Sequence, residues 1–548
     1  MTKKTILFVT LLLVSKASWA CTNFLAGKGA TIDGSTLVTY SADSYALYGA
    51  LYHYPAATYP AGTMLDIREW DTGKYLGQIK QVEKTYSVIG NINEHQLCIA
   101  ETTFGGRPEL ADSTGIMDYG SLIYVTLQRA KTARQAIKIM TDLVAEYGYY
   151  SDGESFSIAD PNEVWIMEMI GKGAGNKGAV WVALRIPDDC VSAHANQARI
   201  TTFPLNDREN CIYSPDVISF AREKGYFSGK DKDFSFSDTY NPLDFGGLYW
   251  CEARVWTFFR QIDPKMDKYL SYIKGETKER MPLWIKPKNK VSAQDFKNFM
   301  RDQYEGTELD ITQNMAAGPF HTKLRLSPLS FKVDGVEYAQ ERPVATQQTG
   351  FSFVAQMRNW LPGYIGGILW FGVDDAASSL YVPMYCGITE IPECYREDNG
   401  SLLQYSSTSA FWTYNAVANF AYSRYSLMMP DIKKVQTHWE DNFNTLIPAI
   451  DKAAQELPKT EARAFLTNFS LSQAETSTMA WKKLGEYLLV KYLDGVVKKE
   501  KNGKFEQNEF HAPPGVLRPG YPEEYLREMV KNNQNLRMKT EEEIKKRK

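Results

Sequence analysis

The residues that follow position 20 alternate short apolar runs with turn-forming residues, and this alternation limits the fold more than any other feature. Asp33-Gly34, between two apolar runs, is a hairpin signal, and Asn93-Glu94 is the predicted turn of a second hairpin. Strands joined by short turns pair antiparallel, so the pattern excludes a βαβ repeat with a parallel sheet. The predicted hairpins pair residues 22–26 with 35–41, 85–92 with 96–103, and 163–170 with 179–185.

Other stretches show the period of a helix instead. Between residues 119 and 147, apolar side chains recur at spacings of three, four and seven. Beyond about residue 400, helices are predicted over residues 411–429, 432–455 and 472–497. The chain has 548 residues, more than one core usually organises, which favours a large domain plus a second part. Hairpins and helices together predict an α+β protein with a largely helical C-terminal region.

Three glycines formally match a dinucleotide-binding fingerprint. Gly173, Gly175 and Gly178 have the G-x-G-x-x-G spacing. That fingerprint requires a strand before the glycines and a helix after them, whereas residues 180–184 are strand-like. The glycines therefore predict a hairpin loop, and nucleotide binding is rejected.

The first twenty residues have the layout of a secretory signal. Two lysines precede an apolar run over residues 6–14, and the small residues Ser18 and Ala20 lie three and one positions before Cys21. The apolar run is shorter than the roughly 20 residues that cross a membrane, and no later run reaches that length. We therefore expect cleavage after Ala20, export to the periplasm or the cell exterior, and no membrane span in the mature protein.

Cys21 would be the first residue of the processed chain. A cysteine at this position has three possible explanations: chance, lipidation, or catalysis by an N-terminal nucleophile. Trp19 and Ser18 suit ordinary signal peptidase better than lipoprotein processing. A free thiol titrates near about 8.5 and an α-amino group near about 7.7–8.0, so an amine on the same residue can accept the thiol proton. We therefore predict catalysis by Cys21, with His194 as the competing base of a Cys–His pair.

Charge and cysteine spacing limit the partners. The net charge is −3 and no basic stripe occurs, so nucleic acid is not expected to bind. The six other cysteines have irregular spacings without a CxxC pair, which argues against a metal site. A disulfide such as Cys386–Cys394 and a set of buried free thiols both stay open. We predict no metal and no organic cofactor.

Short motifs occur in order along the first 420 residues or so. The opening motif is Cys21-Thr22-Asn23-Phe24. Later motifs cover residues 33–35, 93–94, 100–103, 192–200, 254–256, 301–307 and 317–320. Together they resemble the dipeptidase A family of cysteine peptidases, within the N-terminal-nucleophile hydrolase superfamily. They are more distantly similar to penicillin V acylases and bile salt hydrolases.

The resemblance implies a fold and an activity. Residues 21–400 would form a catalytic domain with a four-layer αββα sandwich, and residues 401–548 a helical C-terminal region with a charged tail. The implied activity is hydrolysis of dipeptides or short peptides through a thioester, without a cofactor. Two alternatives stay open: an N-acyl amide acylase of penicillin or bile-salt type, and the less favoured non-enzymatic lipoprotein anchored at Cys21. The oligomeric state also stays open, with a homo-oligomer among the options.

The resemblance also implies residue roles. Cys21 would supply both nucleophile and base, and the carboxylate of Asp43 would hold and orient its ammonium form. Asn196 would form the oxyanion hole with a backbone N–H near residues 101–102, and Arg254 would lie near the thiol.

One position departs from many relatives, which have an arginine where this chain has Tyr40. A neutral phenol cannot lower the pKa of a thiol as a cation does, so this position puts an acylase-like arrangement in doubt.

Overall fold

Antiparallel strands form the centre of the protein. A computed structural model describes residues 21–513, 515–532 and 537–546, so the predicted signal over residues 1–20 lies outside the described residues. In chain order the strands are β1 (Asn23–Ala26), β2 (Thr36–Asp43), β3 (His53–Tyr54), β4 (Met64–Arg68), β5 (Tyr75–Lys80), β6 (Val88–Ile89), β7 (Ile92–Asn93), β8 (Cys98–Gly105), β9 (Gly153–Ala159), β10 (Val164–Gly171), β11 (Ala179–Arg185), β12 (Val191–His194), β13 (Cys211–Tyr213), β14 (Trp284–Ile285), β15 (Ser330–Val333), β16 (Val336–Ala339), β17 (Thr349–Met357), β18 (Gly367–Val373), β19 (Val382–Tyr385), β20 (Val497–Lys498), β21 (Glu500–Lys501), β22 (Lys504–Phe505) and β23 (Val516–Leu517).

Two large sheets contain most of these strands. One has the order β14-β12-β1-β2-β17-β18-β19, and the other has the order β13-β11-β10-β9-β8-β7-β6-β3. Each ladder between neighbouring strands in these sheets is antiparallel. Because β1 lies between β12 and β2, the residues that immediately precede it lie in the middle of the first sheet.

Helices cover these sheets and extend the C-terminal part. In chain order they are α1 (Tyr119–Leu127), α2 (Ala133–Tyr147), α3 (Val217–Glu223), α4 (Phe236–Tyr240), α5 (Ala253–Ile262), α6 (Leu270–Ile273), α7 (Ala293–Phe299), α8 (Gly363–Gly366), α9 (Ala410–Tyr422), α10 (Tyr425–Gln455), α11 (Lys459–Tyr492), α12 (Glu523–Asn532) and α13 (Glu541–Lys545). The described residues include no helix whose length and apolar character would let it cross a bilayer.

The two large sheets face each other. Strands β1 and β2 contact β8 and β9, while α1 and α2 pack on the eight-stranded sheet. Helices α5, α7, α9, α10 and α11 contact strands of the seven-stranded sheet. With helices on the outside and a partner sheet on the inside, strands such as β2, β9, β10, β17 and β18 are buried along their whole length. The prediction of an α+β protein is confirmed.

Local turn chemistry explains where the hairpin predictions hold. Strands β1 and β2 pair as predicted around Asp33-Gly34, and β10 pairs with β11 across the loop of Gly173, Gly175 and Gly178. All three of these glycines have positive φ, which residues with a Cβ rarely adopt. The loop is therefore a hairpin, as predicted, and no helix follows it.

The second predicted hairpin is wrong in detail. Gly90 has a φ of 53°, and the chain turns there between β6 and β7, inside the predicted strand over residues 85–92. Asn93 does form a turn, because its Oδ1 accepts hydrogen bonds from the N–H groups of His95 and Leu97. The segment is thus a meander of β6, β7 and β8.

The helix predictions hold for type but not for boundaries. The predicted run over residues 119–147 is two helices, whose first turns are capped by the side chains of Asp118 and Thr132. Helix α10 continues through Pro430, where the prediction has a break, and through Pro448, because packing on the seven-stranded sheet outweighs the helical hydrogen bonds that the prolines remove. Helix α11 begins at Lys459, well before the predicted residue 472.

Candidate active site

Cys21 lies at the centre of the seven-stranded sheet, directly before β1. Its side chain is buried, and the backbone N–H of Ser41 on β2 donates a hydrogen bond to the carbonyl of the next residue, Thr22 (3.1 Å). The thiol lines a cleft of about 390 Å³. The cleft wall is mostly aromatic and aliphatic, and it includes Tyr40, Leu47, Trp70, Tyr119, Ile123, Tyr124 and Phe351.

The thiol contacts Tyr40, the residue that replaces the expected arginine. Cys21 Sγ donates a hydrogen bond to the Tyr40 hydroxyl at 3.6 Å, and that hydroxyl donates to Glu101 Oε1 at 2.6 Å. Burial raises the pKa of Cys21 well above its ordinary value, and the negative charges of Glu101 and Asp43 raise it further. The hydrogen bonds with the backbone N–H of Asp43 and with the Tyr40 hydroxyl lower the thiol pKa, but they are the smaller effects. The structure therefore favours the neutral thiol.

Asp43, the last residue of β2, is buried beside the thiol in the same cleft. Its Oδ2 accepts hydrogen bonds from Arg342 (2.5 Å) and from the Ser41 hydroxyl (3.1 Å). Its Oδ1 accepts a hydrogen bond from the Thr349 hydroxyl at 2.6 Å. The carboxylate is thus held rigidly by one neighbouring side chain and by two that are distant in sequence, one of which is a cation.

Arg254, on α5, ties the start of the chain to a neighbouring loop. One terminal nitrogen donates to the Cys21 carbonyl (2.6 Å) and to Thr22 Oγ1 (2.7 Å). The other donates to Asn196 Oδ1 (2.9 Å) and to the Ala195 carbonyl (3.2 Å). The side chain is fully buried, and burial lowers its pKa from the ordinary value. The arginine therefore holds backbone, hydroxyl and amide oxygens around Cys21, and not the thiol sulfur.

Asn196 follows β12 in the left-handed region, with a φ of 59°. Asparagine tolerates this conformation better than most residues with a Cβ. Its Nδ2 donates to the Thr103 carbonyl (2.8 Å), while Oδ1 accepts from Arg254. An amide NH₂ has two donors, so this arrangement leaves one of them for a ligand.

His194, the competing base, does not contact the thiol. Its Nδ1 hydrogen-bonds with Thr102 Oγ1 and its Nε2 with Ser157 Oγ, each at 2.7 Å. Burial, together with the nearby Arg199 cation, lowers the pKa of His194 to about 3. An imidazole with both ring nitrogens engaged and such a low pKa is a structural group, and a Cys21–His194 pair is not formed.

Two buried glutamates beside this site were missed in the sequence. Glu101 on β8 has one oxygen bonded to Tyr40, while Glu154 on β9 accepts from the Thr103 hydroxyl at 2.7 Å. Residue 154 is directly opposite residue 103, so both glutamates point to the same face of the sheet. The sequence signal that could have identified them is a glutamate within a strand whose other residues are mostly apolar or carry hydroxyl groups.

The remaining cysteines and acids give no metal site. All seven cysteines are free, so Cys386 and Cys394 are not joined. Glu168 accepts backbone hydrogen bonds from Arg199 and Ile200, which fits a structural role. Within the part of the chain that the structure describes, no group of three His, Cys, Asp or Glu side chains is arranged to hold a metal ion.

Comparison with known proteins places this site in a family. The sequence profile of peptidase family C69 matches residues 46–438, which include Asn196 and Arg254 and follow Cys21 and Asp43. A protein of Salmonella dublin named "Probable dipeptidase" is 28% identical over 405 residues, 70% of this chain and 85% of the relative. A protein of Latilactobacillus sakei with the same name is 26% identical over 475 residues, 82% of this chain and 90% of the relative. A "Probable dipeptidase B" of Lactococcus lactis is 23% identical over 479 residues, 81% of this chain and 93% of the relative. The resemblance found in the sequence is confirmed, and the chain belongs to peptidase family C69.

Proposed function

We propose that the protein is an exported cysteine dipeptidase whose mature chain begins at Cys21. The observation that carries this proposal is the setting of the thiol, which lies in an aromatic cleft beside two carboxylates and is not paired with His194. A thiolate in that setting needs a compensating cation. An α-amine on Cys21 would supply it, because the ammonium that forms when the amine takes the thiol proton lies between sulfur and carboxylates.

The proposed reaction runs in two halves. The Cys21 amine accepts the thiol proton, and the sulfur attacks the scissile carbonyl carbon to form a C–S bond and an oxyanion. The resulting ammonium gives its proton to the leaving nitrogen as the C–N bond breaks, which leaves a thioester. Water then gives a proton to the amine and attacks the thioester, and the acid product leaves as the thiol is restored.

Asn196 and Arg254 have distinct proposed roles. The free Nδ2 hydrogen of Asn196 would donate to the oxyanion, together with a backbone N–H near residue 101. One such donor is worth about 2.7–4 kcal/mol of transition-state stabilisation. Arg254 is a positioning residue, because it binds the Cys21 carbonyl and Asn196 Oδ1 at once and so fixes nucleophile and oxyanion donor relative to each other.

Asp43 has a proposed role as the anchor of the Cys21 ammonium. It lines the cleft with Cys21, and its charge acts on the thiol. Its ion pair with Arg342 offsets part of that charge and holds the carboxylate in place while it orients the amine.

The finer fold and the location are part of the same proposal. Helices α1 and α2, the two facing sheets, and helices on the far side of the seven-stranded sheet support a four-layer αββα hydrolase arrangement. The predicted signal supports export to the periplasm or the cell exterior. The names of the relatives support dipeptides or short peptides as substrates.

The proposal is tested on the protein exported from a bacterial host. We expect mass spectrometry of the periplasmic or secreted fraction to find a free N-terminal Cys21, and that protein to hydrolyse dipeptides in the presence of a chelator. Cys21→Ala abolishes hydrolysis, and Cys21→Ser reduces it strongly. Hydrolysis of N-acyl amides but not of dipeptides would support an acylase instead. A diacylglyceryl group on Cys21 would support the lipoprotein alternative.

A further inference from the structure

A second cavity, with five carboxylates in its wall, lies next to the thiol cleft. Its volume is about 940 Å³. We call it the acidic chamber, and its acidic residues are Glu69, Asp71, Asp118, Asp152 and Glu154. Asp71 and Asp152 are exposed, whereas Asp118 and Glu154 are buried, so the chamber extends from the surface into the protein.

One buried acid of the chamber has a carboxylate oxygen without a hydrogen-bond partner. Asp118 and Glu154 are each 1% exposed. Glu154 accepts from Thr103 and is hydrogen-bonded to Glu101, whereas Asp118 caps the first turn of α1 with Oδ2 and its Oδ1 has no donor among the described residues. A buried carboxylate oxygen without a donor is costly, and a bound cationic donor would satisfy it.

The carboxylates of the chamber have no ion-pair partner among the described residues. None of its five carboxylates forms an ion pair with a described lysine, arginine or histidine. Lys74 lies beside the chamber, where its ammonium donates to the Tyr150 hydroxyl at 3.1 Å. This hydrogen bond, and to a smaller extent the charge of Glu69, raises the pKa of Lys74. Although Asp71 is exposed, the surrounding protein reduces the hydration of its carboxyl and raises its pKa to about 7, and the charges of Glu101, Glu69 and Asp118 add to the effect. Burial and the adjacent Glu101 also raise the pKa of Glu154, so a proton is held between these two glutamates.

The chamber and the cleft share a wall. Tyr119 lines both cavities, and its hydroxyl donates to Asp71 Oδ1 at 2.8 Å. Trp70 lines the cleft, while Glu69 and Asp71 on either side of it line the chamber. A substrate held at the thiol therefore has the chamber within reach beside Tyr119.

Chain geometry decides which cationic group of a substrate can enter. The α-nitrogen of a residue lies only about 2.5 Å from its carbonyl carbon, so the free amine of a dipeptide stays close to the thiol that attacks this carbon. A lysine ammonium lies about 6 Å beyond its Cα. Glu154, the innermost carboxylate of the chamber, neighbours Glu101, which is hydrogen-bonded to Tyr40 (2.6 Å), and Tyr40 in turn contacts the thiol (3.6 Å). This carboxylate therefore lies behind the residues that touch the sulfur, a depth that suits the longer reach of a side-chain cation.

We propose that the acidic chamber binds the cationic side chain of a substrate residue, the ammonium of lysine or the guanidinium of arginine, on the acyl side of the scissile bond. This inference rests on the proposed peptidase function, because it assumes that the substrate carbonyl is placed at Cys21. It makes the enzyme selective for peptides whose cleaved bond follows a basic residue. The walls of the cleft would hold the aliphatic part of that side chain.

The test compares Lys-Ala with norleucine-Ala, which has the same carbon chain without the ammonium. We expect the mature enzyme at low ionic strength to have a kcat/KM at least tenfold higher for Lys-Ala, mainly through KM, and this ratio to fall with salt. Glu69→Gln with Asp152→Asn removes two charges without changing shape, and it should lower the ratio at least threefold. The matched pair Asp66→Asn with Glu83→Gln changes the net charge equally outside the chamber and should leave the ratio unchanged.

Two results would overturn the assignment: equal kcat/KM values for both dipeptides, or a lysine preference that the Glu69→Gln and Asp152→Asn pair leaves intact. N-acetyl-Lys-Ala separates the two amines of the substrate. If the effect of the chamber substitutions disappears when the α-amine is blocked, the chamber binds the α-ammonium, and the proposal is wrong.

A binding experiment separates this inference from the proposed function. Cys21→Ala protein is titrated calorimetrically with Lys-Ala and with norleucine-Ala. Tighter binding of Lys-Ala that the chamber substitutions weaken would support the chamber even if neither dipeptide is hydrolysed by the wild type. Hydrolysis of both dipeptides without any such difference in binding would contradict the chamber and leave the proposed function standing.

Discussion

The Cys21 thiol donates a hydrogen bond to the hydroxyl of Tyr40, with 3.6 Å between sulfur and oxygen. The same hydroxyl donates to Glu101, so the phenol has its own proton directed away from the sulfur. Burial raises the pKa of Tyr40 well above its ordinary value, which keeps the phenol neutral. Tyr40 can therefore position the thiol and accept its hydrogen bond, but it cannot replace the charge of an arginine.

Tyr40→Phe tests this contact. When the thiolate forms, the Tyr40 hydroxyl can turn its proton from Glu101 to the sulfur, and this hydrogen bond lowers the thiol pKa. The substitution removes it, so the thiol pKa rises. The acid limb of the kcat/KM profile should then move to higher pH, and kcat/KM at pH 7 should fall about tenfold to hundredfold. The measurement is a pH–rate profile on a dipeptide. A lower rate with an unshifted acid limb would show that Tyr40 acts by packing alone.

Asn196→Gly tests the oxyanion donor without straining the backbone. Glycine adopts the φ of 59° freely, so it removes the amide and keeps the turn. We expect kcat to fall about 10²- to 10³-fold, while Tm falls only by the loss of the hydrogen bonds to Thr103 and Arg254. Asn196→Ala should lose the same activity and in addition about 1–2 kcal/mol of stability from the left-handed conformation. Near-normal kcat in the glycine variant would remove Asn196 from the oxyanion hole.

Arg254→Lys tests the positioning role. Lysine keeps the charge but cannot donate to the Cys21 carbonyl and to Asn196 in two directions at once. We expect kcat to fall at least tenfold while KM changes little, because substrate contacts are not removed. Arg358→Lys is the matched control: it alters a buried arginine that pairs with Asp451, and it should lower Tm without lowering kcat. Equal effects on kcat in both variants would contradict a specific role for Arg254.

Because His194 is buried and neutral, the free energy of unfolding should decrease as the pH falls. Its pKa in the folded protein is about 3, below the ordinary value of 6.5, so the unfolded chain binds the proton first as pH falls. Stability from this group is complete above about pH 6.5 and is lost as pH falls toward 3, by up to about 1.4 kcal/mol per pH unit. Calorimetry between pH 7 and 5 should show that wild type loses Tm faster than His194→Gln. Parallel curves would contradict a buried neutral imidazole.

Local signals made part of the fold predictable. Asp33-Gly34 and the loop glycines specify turns through backbone conformation alone, so the hairpins β1–β2 and β10–β11 follow from sequence. The boundaries of α10 and α11 do not follow from sequence. Packing on the seven-stranded sheet keeps the chain helical across Pro430 and starts α11 well before the predicted residue 472.

The residues of the candidate site were likewise predictable only in part from the sequence. Cys21 stands out because of its position after a signal-like leader, and Asn196 and Arg254 because of motifs. The partners that set their chemistry are distant in sequence: Arg342 is 299 residues from Asp43, and Glu101 is 61 residues from Tyr40. No local pattern predicts such pairs. Tyr40 on β2 and Glu101 on β8 meet across the two facing sheets, and Arg342 reaches Asp43 from the segment before β17, which pairs with β2.

The most direct test of the central claim compares two proteins that differ by one residue. One begins at Cys21 and the other at Ala20, so that the nitrogen of Cys21 is an amine in the first and an amide in the second. Equal Tm values and equal alkylation of the denatured thiol would establish that only the amine differs. We predict dipeptide hydrolysis by the first protein and at least 10³-fold less by the second, an effect of the order of a missing general base. Equal activity of the two proteins would contradict catalysis by the Cys21 amine.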